Sequence, residues 1–158
     1  MWTLPVTATD DERLLLAADD PPGPQSPRPA IVALASADFD AAECLGDILR
    51  RAGYQPLAVT AAGGRIRGAA AGIWDGRIDL PDGPIRLADF ADTLTPAPVL
   101  ALLNFPRPEQ VETARAAGAV GVFAKPYLIE DLLAAVRQAI DPPRILPATS
   151  AAASTSGD

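Results

Sequence analysis

Apolar residues in this chain fall into short runs that alternate with stretches of helical spacing. Residues 30–35 form an apolar run of strand length. Ser36 or Asp38 then offers a cap for a helix in which Leu45, Ile48, Leu49 and Ala52 share one face. Gly53 ends that helix. Residues 56–60 read as a second strand, and 69–74, leading to Asp75, as a third. Residues 98–103 are nearly all apolar, as suits a strand buried on both faces. Pro108 and Glu109 mark the start of a helix carrying Val111, Ala114 and Arg115, which stops at Gly118. Residues 119–124 are the fifth strand, and the last helix carries Leu128, Leu132, Leu133, Val136 and Ile140 on one stripe.

The stretch 76–94 has two readings. It fits a small hairpin around the turn Pro81-Asp82-Gly83. It also fits a loop entering a helix over 84–94, which we favour because Leu87, Phe90 and Leu94 repeat at helical intervals. The alternation of strands and helices predicts an α/β fold. The expected form is a three-layer sandwich with five parallel strands, doubly wound, with helices on both faces. Such sheets bind ligands beyond the carboxyl ends of their strands. Lys125 falls at one of those ends.

The compact domain is expected over 30–141. Residues 1–29 read as an acidic arm followed by a proline-rich linker, which can form neither a helix nor a paired strand. The stretch 142–158 is rich in Pro, Ala, Ser and Thr and reads as a disordered tail.

Composition narrows the chemistry. The net charge of -7, without a basic cluster, argues against nucleic-acid binding. No run approaches a membrane span, and the start lacks a secretory pattern. Cys44 is the single cysteine, which suits a reducing cytoplasm, and on its helix it reads as a small buried hydrophobe. The chain has no histidine. This removes His-based triads, the commonest zinc ligand and the usual base near neutral pH. No turnover enzyme is expected.

The segment from Ala114 to Tyr127, with its Gly turn, short strand and Lys125-Pro126 corner, resembles the receiver domain of bacterial response regulators. The Leu-Leu-Ala-Ala-Val helix after it adds to the resemblance, which covers about 30–141. It implies a flavodoxin-like fold, a place in two-component or phosphorelay signalling, and a sensor kinase or output domain as partner. It also implies a cis Lys125-Pro126 bond that aims the lysine into a phosphate pocket. Asp75 is the matching phosphoacceptor candidate. Ser36, Asn104, Lys125 and Pro126 are the candidate pocket residues, and Asp38 with Asp75 the candidate metal ligands. Ala35 and Ser36 stand where the family places its acidic pair, and Leu103 stands where it places a hydroxyl.

Those departures set the functional expectation: a pseudo-receiver that acts by protein–protein contact, with Lys125 and Asp75 as a structural ion pair. No cofactor is expected on this reading. The alternative is a competent receiver that takes a phosphoryl group on Asp75 with magnesium. A small-ligand or nucleotide-binding module on the same fold is the third reading. Self-association, if any, is expected through the last helix face. Residues 1–6 resemble the final strand of a sensor kinase's ATP-binding domain, as in hybrid kinases.

Overall fold

The computed structural model describes residues 27–60 and 64–142. The arm over 1–26, with its kinase-like start, and the tail from 143 lie outside the described residues. Nine elements follow one another: β1 (Ile31–Ser36), α1 (Phe39–Arg51), β2 (Gln55–Ala58), β3 (Ala69–Asp75), α2 (Gly83–Leu94), β4 (Val99–Asn104), α3 (Pro108–Ala116), β5 (Ala119–Lys125) and α4 (Ile129–Ile140). The strands form one sheet in the order β2-β1-β3-β4-β5, every pair parallel. This is the expected doubly wound sandwich.

Each face of the sheet has its own core. On one, Leu45 and Leu49 of α1 and Leu132 and Val136 of α4 pack on Val32, Leu34, Ile73, Leu100 and Leu102. On the other, Leu87, Phe90 and Leu94 of α2 and Ala114 of α3 pack on Ala33, Trp74, Val99, Ala101 and Leu103. The alternate residues of β4 thus serve both faces, as its unbroken apolar run predicts. Trp74 is 6% exposed and is a packing residue.

The segment 76–94 is a loop followed by a helix. Leu87, Phe90 and Leu94 are the buried stripe of α2, so side-chain periodicity settled what the Pro81-Asp82-Gly83 turn left open. Helix α1 takes Asp38 rather than Ser36 as its cap, and Gly53 beyond its end has φ 91°.

Three expectations need correction. Leu128 is 65% exposed because it precedes α4 as its extended cap residue and never joins the helical stripe. Cys44 is exposed, because the buried face of α1 is set by Leu45 and Leu49 and the neighbouring position turns outward. The second strand spans Gln55–Ala58, one residue earlier and shorter than expected. Among the described residues it stands at the sheet edge and pairs with β1 alone, and the pairing stops at Leu34↔Ala58.

The crossover from β2 to β3 carries no helix among its described residues. Instead Val59 donates its N–H to Leu34 O at 2.8 Å, and Ile66 donates to Thr93 O at 3.0 Å. These bonds pin the connection to β1 and to the end of α2.

Candidate functional site

Strand register brings the site together at the carboxyl edge of the sheet. Ser36 lies beside Asp75 in the β1–β3 pairing, and Asn104 beside Lys125 in the β4–β5 pairing. Asp75 is 8% exposed and is the buried polar residue of the described core. Its Oδ1 accepts a hydrogen bond from Lys125 Nζ. Its Oδ2 lies 3.2 Å from the Ser36 hydroxyl. That hydroxyl also lies 3.0 Å from Asp38 O, so one proton serves two acceptors, and it accepts from Asp38 N–H at 3.1 Å. Both oxygens of the carboxylate are therefore engaged, and no buried side-chain polar atom among the described residues lacks a partner. Pro126 follows Lys125 through a cis peptide bond, as expected.

Asp38 is placed but turned to another task. Its Oδ1 accepts from Asp40 N–H at 3.0 Å and Ala41 N–H at 3.3 Å, capping α1. Asn104 is exposed and makes no side-chain hydrogen bond to Asp75, Lys125 or Ser36. It lines a separate cavity of about 560 Å³ with Arg77, Phe105 and Gln110. Leu103 is 1% exposed and belongs to the core under α2 and α3, so its side chain offers packing and no polar atom. Ala35 likewise has no ligating oxygen in its side chain. Among the described residues, no group of three or more His, Cys, Asp or Glu is placed to hold a metal ion. Magnesium is usually held by one or two carboxylates with water completing its octahedron, and of the candidate acids Asp38 and Asp75 it is Asp75 that does not cap a helix.

The neighbours of the cluster include two residues that sequence reasoning left out. Tyr127 packs edge-on against Phe123, with ring centroids 6.4 Å apart. Burial, and then the negative charge of Asp75, push its phenol above the ordinary tyrosine value. Its place directly after Lys125-Pro126 was the available signal. The second is Gly76, where a Cβ would overlap the Trp74 ring. Its lack of a side chain lets the indole fold back under the site. On the surface beyond, Arg77 holds Asp79 with a two-point contact of 2.5 and 3.2 Å. The guanidinium hydrogen bond lowers the Asp79 pKa.

No protein-family model matches the sequence, and no curated protein matches it. Solved structures do resemble the fold. A response regulator receiver protein from Pseudoalteromonas atlantica superposes with a TM-score of 0.58 at 19% identity, covering 70% of this chain and 96% of that one. A CheY-like response regulator receiver domain protein from Methanospirillum hungatei gives 0.58 at 22% identity, covering 72% and 94%. A response regulator protein from Burkholderia pseudomallei, solved with a phosphorylated aspartic acid, calcium ion and citrate, gives 0.54 at 21% identity, covering 70% and 68%. With five parallel strands in the order β2-β1-β3-β4-β5 and a lysine-proline corner after β5, the chain has the response-regulator receiver fold.

Proposed function

We propose that this protein is a degenerate receiver that signals by binding a protein partner, such as a sensor kinase or an output domain, rather than by accepting a phosphoryl group. The observation that carries this reading is the closed state of Asp75. Lys125 and Ser36 each engage one of its two oxygens, so a metal or a phosphodonor would have to compete with both contacts. Phosphoryl transfer is mainly positioning and charge neutralisation. Here Asp38 is used as a helix cap, and Ala35 and Leu103 bring no oxygen where a receiver pocket needs one. The reading makes the protein a cytoplasmic signalling module with no turnover of its own.

A competent receiver is the second reading, and one observation favours it: Asp75 ends β3 with Lys125 in direct contact. Incubation with acetyl phosphate and magnesium, followed by intact mass, separates the two. The degenerate receiver gains no mass. A gain of one phosphoryl group that disappears in Asp75→Ala establishes the competent receiver instead.

A further inference from the structure

Parallel crossovers usually run a dozen residues or more and carry a helix. Here the connection spans only 59–68, and its described residues form none. A groove of about 410 Å³ lies beside α2, an ordinary size for a small-molecule site. Val59, Trp74, Leu80 and Phe90 give it apolar walls. Asp82, Arg86, Asp89 and Thr93 line it from one face of α2. Ser36 and Asp75 close the end at the carboxyl edge of the sheet.

Charge decides what such a groove prefers. Its acids are Asp75, Asp82 and Asp89, and its cations Arg77 and Arg86. Both guanidinium groups already serve carboxylates, Arg86 with Asp82 at 2.5 Å and Arg77 with Asp79 at 2.5 Å. Asp75 is held by Lys125. Asp89 is the lining acid with no ion pair among the described residues. Arg65 and Arg67 flank the crossover's anchor at Ile66, and neither is part of the lining. An entering anion would meet guanidinium groups already paired and, at Asp89, a carboxylate with no ion pair among the described residues. A small hydrated metal ion would gain nothing from the apolar walls. A cation with an aromatic body satisfies both features.

We propose that the groove beside α2 binds a small aromatic ammonium, with its ring against Trp74 and Phe90 and its ammonium at Asp89. The occupied groove abuts Asp75 and Ser36, so the ligand would couple directly to the site cluster. This inference stands whether or not Asp75 accepts a phosphoryl group.

Tryptamine is the probe, with indole-3-acetate as the same ring bearing the opposite charge. Both are titrated into the full, isotope-labelled chain, and the Trp74 indole N–H and the Gly76 and Asp89 amides are followed by NMR. Tryptamine shifts these signals saturably at millimolar concentration, and indole-3-acetate does so at least threefold more weakly. The exposed Asp89→Lys change weakens tryptamine roughly threefold to tenfold, in line with a solvent-screened charge, and Asp89→Asn weakens it less. The proposal is overturned if tryptamine leaves the Trp74 signal unmoved, if the two probes bind alike, or if both Asp89 variants bind tryptamine as the parent does.

Discussion

Lys125 and Asp75 join across the end of β4, the strand that separates theirs in the sheet. The pair is unevenly buried, with the lysine side chain 29% exposed and the aspartate 7%. Removing one partner of a fully buried pair costs about 3–5 kcal/mol, but water reaches this lysine and screens part of the charge. We therefore expect Lys125→Ala to cost roughly 1–3 kcal/mol. Asp75→Asn keeps a neighbour for the Ser36 hydroxyl and costs less. Denaturant titration of both single variants and the double gives the coupling between them. A coupling of zero would deny the pair any structural role.

Asp38 tests whether the acid after β1 serves the helix or a metal. As the cap of α1 it accepts two backbone N–H groups. Asp38→Ala should cost about 1 kcal/mol, and Asp38→Ser should regain most of that loss. Both changes should be the same with and without magnesium. If serine fails to rescue while magnesium stabilises only the parent, the residue is a ligand and the cap is incidental.

The sequence made the sheet and its helices readable because burial on both faces leaves long apolar runs, as in β4, and amphipathic stripes, as in α2 and α4. The Asp75–Lys125 contact was readable too, since both residues stand at strand ends of one parallel sheet. What the sequence hid depends on direction rather than type. Asp38 could turn to a pocket or to its own helix, and only the loop geometry decides. Cys44 and Leu128 lie one position away from buried neighbours, where a small rotation exchanges core for solvent. The groove beside α2 had no signal in the sequence, because its walls come from β3, α2 and the loops around them, which only the fold brings together.

Burial contrasts Leu132 with Leu128 on the same segment. Leu132 is 1% exposed beneath α4, and Leu128 is 65% exposed at its start. Leu132→Ala should cost about 2–4 kcal/mol through lost transfer energy and a residual cavity. Leu128→Ala should stay within about 0.5 kcal/mol. Equal losses in a urea titration would mean that α4 sits on the sheet in a different rotation.

Tyr127 gives the protein an alkaline signature. Burial and the charge of Asp75 disfavour the phenolate in the folded state, so its pKa lies above that of the unfolded chain. As pH rises past the ordinary tyrosine value, the unfolded state loses this proton first. The unfolded state then binds fewer protons than the native one, and stability falls with rising pH until the folded phenol also ionises. Tyr127→Phe should flatten that fall. It should also remove the latest component from an alkaline absorbance titration. If the component lost in Tyr127→Phe is instead one at the ordinary tyrosine value, the ring lies in water.

Gly83 opens α2 against the loop that follows β3, and the contact there is backbone to backbone. A Cβ at this position would overlap Arg77 O and lie 2.9 Å from Ile78 Cα. Gly83 N–H also donates to Leu80 O at 2.9 Å, so the turn is closed on itself. Neither neighbour is the tip of a side chain that could swing aside. The backbone conformation of Gly83 is not in the left-handed region, so the penalty of a side chain is one of space alone. Gly83→Ala should therefore cost about 1–3 kcal/mol or more by overpacking, despite the better helix propensity of alanine. The same change at Gly64, where no described residue lies within 4 Å of the added carbon, should be nearly neutral. The loop carries Arg77 and leads directly from Asp75. Amide exchange in Gly83→Ala should therefore quicken first over residues 76–83, and a stable variant with unchanged exchange there would show that the loop can shift without loss.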